Sequence, residues 1–278
     1  VDRVDMRQTQ MSLLFFAGEF VYKVKKPVNL GYLDYTTLED RRRFCEQEVH
    51  LNRRLCPRAY LGVVPIVRVP GGVQVEARGT ASEYAVKMRR LPQDRMLDRL
   101  LAEGLATRAM MEAIASRVAT FHANAATSPD ISSFGSVAVI RQNADENFTQ
   151  TQPYVDETVT ASTHTLLQRF TGEFIDAHRS RLERRVTDDR IRDCHGDLHA
   201  AHVCMTDEVC IYDCIEFNDR FRYGDVASEI AFLAMDLDRH RRHDLSAAFV
   251  NTYVTTSNDQ GIGQLLSFYK CYRAVVRG

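Results

Sequence analysis

The stretch Arg192-Asp193-Cys194-His195-Gly196-Asp197-Leu198-His199-Ala200-Ala201-His202-Val203 constrains this chain more than any other. It sets three imidazoles and a carboxylate within eight residues. Gly196 opposes a plain helix here, because glycine inside a helix costs about 1 kcal/mol relative to alanine. Two short apolar strands are expected next, Val203-Cys204-Met205 and Val209-Cys210-Ile211-Tyr212, with Thr206-Asp207-Glu208 turning between them. A second acidic stretch, Asp213-Cys214-Ile215-Glu216-Phe217-Asn218-Asp219, closes the segment. The pattern is a carboxylate on a loop, a hairpin, and a further carboxylate where the hairpin ends. One such carboxylate can orient and deprotonate a hydroxyl while the other holds a divalent cation.

A zinc-dependent hydrolase is the competing reading of the same residues. His195 and His199 have the i, i+4 spacing of a helical ligand pair, and Cys194, Cys204 and Cys210 lie close by in sequence. Against it, Gly196 interrupts the helix and no Glu stands between the histidines. Structural zinc sites usually pair cysteines at short spacing, and no C-x-x-C occurs in the chain.

The loop and hairpin resemble the catalytic loop and metal-binding strand of the protein-kinase-like superfamily. More narrowly they resemble the aminoglycoside phosphotransferase-like family, whose hallmark is His-Gly-Asp-Leu-His, two variable residues, then Asn. The resemblance implies an α+β, protein-kinase-like two-lobed fold. Residues 1–90 would form a small antiparallel-sheet N-lobe with one helix that binds nucleotide. Residues 91–278 would form a larger, mainly helical C-lobe for catalysis and substrate. The implied activity is ATP-dependent transfer of a phosphate to a hydroxyl of a small molecule, with Mg²⁺ as metal.

By the same resemblance Asp197 takes the catalytic-base position. The step of five residues to the metal-holding Asn lands on His202, and the later metal-binding acid falls on Glu216, where the family has Asp. Asp213, three residues earlier, is the alternative ligand. Imidazole suits Mn²⁺ or Zn²⁺ better than the hard, oxygen-preferring Mg²⁺, so Mn²⁺ is a second candidate. The exchange at 202 also leaves open an inactive, nucleotide-binding regulatory module.

Upstream, Ser12-Leu13-Leu14-Phe15-Phe16 and Phe20-Val21-Tyr22-Lys23-Val24-Lys25 read as paired strands. Lys23 and Lys25 share one face of the second strand. The resemblance favours Lys23 as the residue that grips phosphate, over Lys25. Glu48, ahead of Glu46, is then its partner on the helix that Thr37 caps and that runs to Leu55. Ser12 is a candidate hydrogen-bond donor to phosphate. A hairpin over 60–76 and a strand over 83–88 complete the small lobe. Met88 and Arg89 then open the connector to Pro92, whose backbone would receive adenine.

Helices are expected over 94–103, 107–125 and 161–185 and, after the hairpin, over 226–237, 241–256 and 261–277. Residues 128–160 read as polar and irregular, with Ser128-Pro129-Asp130 as the break ending the preceding helix. His122 reads as a packing residue. Asp225 reads as a helix cap, and the resemblance adds a role in bracing the catalytic loop. Aminoglycoside phosphotransferases use an acidic acceptor pocket for their polycationic drugs. Here the terminal helices carry Arg239, Arg241, Arg242, Lys270, Arg273 and Arg277, so the signal for an aminoglycoside acceptor is weak.

Lys plus Arg number 36 and Asp plus Glu 37, so no global field recruits nucleic acid or an anionic membrane. No apolar run approaches the roughly 20 residues that span a bilayer, and no signal-peptide pattern opens the sequence. Seven scattered cysteines fit a reducing, cytoplasmic setting better than a disulfide framework. The branch of the family that this chain resembles is often fused to a P-loop ATPase-like domain. No G-x-x-x-x-G-K-[ST] occurs here, so such a domain, fused or associated, would lie outside this chain.

Overall fold

The bulky alternation at 12–25 produces the first hairpin of a six-stranded sheet, seen in a computed structural model that describes residues 4–277. The strands are β1 (Val4–Gln8), β2 (Ser12–Ala17) and β3 (Phe20–Lys25), then helix α1 (Leu38–Asn52). β4 (Tyr60–Val69), β5 (Gly72–Val75) and β6 (Ala81–Arg89) follow. The next helices are α2 (Leu97–Ala102), α3 (Arg108–Asn124), α4 (Pro129–Ser133), α5 (Val137–Thr151), α6 (Ala161–Ala177) and α7 (Arg179–Thr187). β7 (Ile191–Asp193) leads into the loop and the hairpin of β8 (Val203–Met205) and β9 (Val209–Ile211). The chain ends with α8 (Asp219–Arg222), β10 (Tyr223–Asp225), α9 (Val226–Arg239), α10 (His243–Ser257) and α11 (Ile262–Arg277).

Two compact units result. The first holds the residues through Arg99 together with Ala201–Asp219; the second holds Leu100–Ala200 and the residues from Arg220 onward. The first unit therefore continues past the expected boundary at residue 90 and takes in the hairpin after the His195–His199 loop.

In the first unit the sheet order is β1-β2-β3-β6-β4-β5, with every pairing antiparallel. Ser12 lies opposite Lys25 and Leu14 opposite Lys23. Helix α1 begins where Thr37 accepts a hydrogen bond from the Asp40 amide, and it packs on β6 and β4. It ends at Asn52, three residues before the expected Leu55. Cys45, Val49, Tyr60, Val86, Met96, Cys204 and Cys210 form one buried cluster, so the hairpin shares its core with α1 and the sheet. Cys56 and Cys210 are joined as a disulfide with Cα atoms 4.6 Å apart, a pairing the scattered cysteine spacing did not announce.

In the second unit α3 packs on α10, and α9 on both α10 and α11. Residues 128–160 depart from the expected irregular loop, since they carry α4 and α5. Ser128 caps α4 with its hydroxyl, Pro129 occupies the first turn, and Asp130 follows as the first-turn acid. Those are helix-start signals, because proline lacks only an amide that the first turn leaves unpaired. Ser136 caps α5 in the same way. The expected single helix over 161–185 is split at His178 into α6 and α7. Among the described residues no helix is long and apolar enough to cross a membrane.

Candidate active site

Strand β3 turns Lys23 and Lys25 to the same face, and α1 brings Glu48 between them. Lys23 Nζ donates to Glu48 Oε1 at 2.9 Å and to Asp213 Oδ1 at 2.7 Å. Lys25 Nζ donates to Glu48 Oε2 at 2.7 Å and to Glu216 Oε1 in a short contact. Tyr35 OH donates to the same Glu216 oxygen at 2.6 Å. The two lysines thus share Glu48, one carboxylate oxygen each, and each takes a further acid from the segment after β9.

The segment is fixed by its backbone. The Asp213 amide donates to Tyr60 OH at 3.2 Å and the Cys214 amide to Asn52 Oδ1 at 2.9 Å. Asp213 has φ +63°, a left-handed conformation that costs a non-glycine residue energy and is concentrated at functional sites. Its side chain keeps 41% of its exposure, against 13% for Lys23, 1% for Lys25 and none for Glu48.

Burial alone would raise the Asp213 carboxyl, but Lys23 and His202 outweigh it and hold the group far below the usual carboxylate range. Burial likewise opposes the ammonium of Lys25, yet Glu216 and Glu48 raise it well above its ordinary value. Lys23 is raised against burial by Asp213 and Glu48, and Glu48 is lowered against burial by the two lysines. Two ammonium groups therefore face three carboxylates. Of the three carboxylates Asp213 is the most exposed.

Several expected positions are met and others shift. Lys23 and Glu48 pair as anticipated. Glu216, expected to hold metal with His202, is instead 4% exposed and engaged by Lys25 and Tyr35. The acid beside His202 is Asp213, with Oδ2 3.6 Å from the imidazole Nε2. Met88 and Arg89 belong to β6 rather than to a connector, because strand pairing continues through Arg89. The Arg89 and Arg90 amides donate to Ala59 O and Glu19 O at 2.8 Å, so the first position past those bonds is Leu91. Ser12 is fully buried opposite Lys25, and its hydroxyl has no hydrogen-bond partner among the described residues.

Asp197 lies in the second unit, on a loop whose backbone is clamped by acids of α9. Glu229 accepts from the His195 amide at 2.8 Å and the Gly196 amide at 2.6 Å. Asp236, about two turns further along the helix, accepts from the Ala200 amide at 2.9 Å. Gly196 adopts φ +89°, which glycine alone takes at little cost. The Asp197 amide donates to His195 Nδ1 at 3.3 Å, and Asp197 Oδ2 lies 3.6 Å from His199 Nε2. A zinc helix is not formed here, since 195–199 is irregular. In the same unit the buried trio His122, Cys194 and Glu229 has metal-like spacing. Both ring nitrogens of His122 are already engaged, by Tyr253 OH at 2.7 Å and Glu229 at 2.6 Å.

The bracing expected of Asp225 is thus performed by Glu229. Asp225 caps α9 through the Ala227 amide and receives the Arg185 guanidinium, which also reaches Asp259. Sequence reasoning missed Glu229 and Asp236, although one signal was present: two acids seven residues apart, each flanked by apolar residues of α9; both are buried, at 2% and 1% exposed. It also gave no role to Glu146, which makes a bidentate ion pair with Arg220 at 2.9 and 2.6 Å.

Burial would raise Glu229, but the His122 hydrogen bond, the charges of His122 and His195, and the Gly196 amide bring it down to about 2. A carboxylate lowered by folding stabilises the fold above its unfolded pKa, and that contribution is lost as pH falls to the folded value. Stability from Glu229 is therefore expected to fade between pH 4.5 and about 2. In Glu229→Gln, calorimetric scans should show a loss of at least about 2 kcal/mol near neutrality and a shallower decline in that acid window. Equal slopes for the two proteins would contradict the clamp.

A lysine–glutamate pair between strand and helix, and a loop whose backbone amides are clamped by buried helix acids, belong to an α+β chain of protein-kinase-like fold. The chain is a member of the phosphotransferase enzyme family, whose family model matches residues 37–265. It is 33% identical over 275 residues to uncharacterized protein Rv2004c of Mycobacterium tuberculosis and to uncharacterized protein Mb2027c of Mycobacterium bovis. The match covers 99% of this chain and 54% of each relative, so the chain spans about half their length. A choline/ethanolamine kinase family protein from Mesorhizobium loti shares the fold with TM-score 0.57 and 11% identity, over 99% of this chain and 77% of that one. Aminoglycoside phosphotransferase APH(3'')-Id from Streptomyces rimosus shares it with TM-score 0.52 and 14% identity, over 97% and 92%.

Proposed function

We propose that the chain transfers the terminal phosphate of ATP to a hydroxyl of a small molecule. The observation that carries this reading is Lys23 held between Glu48 and Asp213, a fixed ammonium beside a carboxylate that stays exposed to solvent. The solved structure of APH(3'')-Id with ADP and streptomycin shows that this fold accommodates a nucleoside diphosphate in a relative. The donor set here fits a divalent ion: Asp213 supplies oxygen and His202 nitrogen, a mixture that favours Mn²⁺ over Mg²⁺. When bound, such an ion neutralises the charge that develops between the phosphates.

Each remaining role falls to a residue of this chain. Lys23, oriented by Glu48, grips the phosphates. Lys25 and Glu216 are the buried support beneath that pair. Ser12 contributes its unpaired hydroxyl from β2, beside the strand of Lys23, and adenine meets the backbone at Leu91, past the occupied amides of Arg89 and Arg90. Asp197 orients and deprotonates the acceptor hydroxyl, on a loop that Glu229 and Asp236 keep from sagging. The arginines of the last helices disfavour a polycationic acceptor.

Titration calorimetry of ATP with and without Mn²⁺ tests the assignment. The metal should tighten ATP binding in the wild type, and Asp213→Asn should remove at least about tenfold of that gain. An unchanged gain would return the metal to other residues, and absence of ATP binding would remove the phosphotransferase reading. Tight metal–ATP binding with no turnover across a panel of amino alcohols, sugars and aminocyclitols would instead favour a regulatory module.

A further inference from the structure

The turn that leads from α7 into β7 meets the C-terminal ends of α3 and α10 around a cavity of about 310 Å³ in the second unit. The phosphotransferase roles leave this cavity unused. Asp189 and Arg190 come to its walls from the turn, Arg192 from β7, Thr120 from α3, and Thr256 and Ser257 from α10. The buried part of the lining is His122 and Tyr253, 4% and 1% exposed.

We propose that this cavity binds a small hydroxylated phosphate monoester, a sugar phosphate or polyol phosphate, with the phosphate on Arg192 and Arg190. Arg192 is prepared for an anion. Its Nε donates to Asp189 O at 2.9 Å and its Nη1 to Ala125 O at 3.1 Å. Those carbonyls fix the guanidinium plane without neutralising its charge, and among the described residues no carboxylate is ion-paired with it. Arg190 is loosely held. Its Nε lies 3.7 Å from Asp259 Oδ2, and Arg185 already bonds both oxygens of that carboxylate. Planar guanidinium groups match phosphate oxygens, and a phosphate dianion answers two of them better than a single carboxylate does.

The rest of the lining selects hydroxyl groups. The Thr120 hydroxyl donates to Ser116 O at 2.9 Å and the Ser257 hydroxyl to Tyr253 O at 2.8 Å. With their hydrogens committed, both oxygens can only accept, as the Asp189 carboxylate does. Accepting oxygens repel a bare phosphate but receive hydroxyl donors. A ligand with phosphate at one end and hydroxyls at the other answers both sets. The volume stands at the lower end of the range for small-molecule sites, about 300–1,000 Å³, which suits a ligand of that size.

The cavity also borders the support of the Asp197 loop. Tyr253 OH and His122 Nδ1 are 2.7 Å apart, His122 Nε2 meets Glu229 at 2.6 Å, and Glu229 holds the His195 and Gly196 amides. An occupant therefore lies against the first members of a hydrogen-bonded chain that ends at that loop. Filling the cavity should then change turnover. This coupling rests on the phosphotransferase reading, which also makes the reaction's own product a member of the ligand class; binding in the cavity does not rest on it.

Titration calorimetry of the full chain tests binding with glycerol 3-phosphate and glucose 6-phosphate, against inorganic phosphate and glycerol. At least one ester should bind with Kd of about 1 mM or tighter, and about tenfold tighter than inorganic phosphate, with glycerol silent. Arg192→Gln should weaken the ester about tenfold or more. Thr256→Glu should do the same from the exposed rim, where it adds a negative charge and leaves the buried groups in place. No ester binding at about 10 mM, or unchanged affinity in folded Thr256→Glu, overturns the site. Inorganic phosphate binding as tightly as the esters overturns the ligand class. In the ATP assay a saturating ester should shift wild-type kcat about twofold or more and leave that of Thr256→Glu where it was. An unmoved wild-type kcat overturns the coupling alone. Ester binding to a protein that binds no ATP would remove the phosphotransferase reading and leave the cavity site standing.

Discussion

Asp197→Asn is expected to lower kcat for phosphate transfer by about 10²–10⁴-fold, the usual contribution of a positioned general base. Amide and carboxylate are nearly isosteric, so the loop backbone should keep its bonds to Glu229 and Asp236. ATP affinity should accordingly remain close to that of the wild type. The distinction matters, because a fall in kcat without a fall in affinity isolates the chemical step. The assay is ADP release with an acceptor drawn from a panel of small alcohols, coupled to calorimetric ATP binding on the same protein. A variant retaining more than about a tenth of wild-type kcat would take the base role away from Asp197.

The second large effect concerns Lys25 rather than the better exposed Lys23. Lys25 is 1% exposed and its ammonium meets Glu48, Glu216 and, at 3.5 Å, Tyr35 OH. Lys25→Met leaves two buried carboxylates with only Lys23 nearby. Removing one partner of a buried ion pair costs about 3–5 kcal/mol, because the other charge is stranded. Thermal denaturation should show Tm lowered by roughly 10 °C. Lys25→Met combined with Glu216→Gln should recover much of this, since a buried ion pair contributes little against a neutral replacement, and Gln can still accept the Tyr35 hydroxyl. Lys23→Met, by contrast, should chiefly weaken ATP binding. A Lys25→Met protein as stable as the wild type would mean that the cluster is wet rather than buried.

Much of the fold was legible because its signals are local. Alternation gave the strands of the small sheet, Thr37 gave the start of α1, and the apolar stripe through Ile114 and Val118 gave α3. The His-Gly-Asp-Leu-His run marked the loop, since glycine at a left-handed position beside a carboxylate leaves a distinct sequence trace. The pair Lys23 and Glu48 followed from the family resemblance. What escaped is set by burial, which a sequence does not print. Lys25 and Lys23 are chemically identical on paper, and only the packing of Tyr35 and Glu216 buries the first while the second keeps 13% of its side-chain exposure. Glu216 and Asp213 divide in the same way. Ser128-Pro129-Asp130 was read as an ending although its residues favour a beginning, an ambiguity inherent in proline, which terminates one helix as readily as it opens the next.

The first compact unit is discontinuous in the chain: its sheet is complete by Arg89, but its hairpin and two of its five charged partners come after Ala200. During synthesis Lys25 emerges 191 residues ahead of the glutamate that neutralises it. The nascent sheet must therefore wait, with an unbalanced ammonium at its heart, until most of the polypeptide has left the ribosome. The same delay opposes dividing the protein by a single cut, for a fragment ending near Arg99 would keep Glu48 but carry the lysines away from two of the three acids that permit their burial.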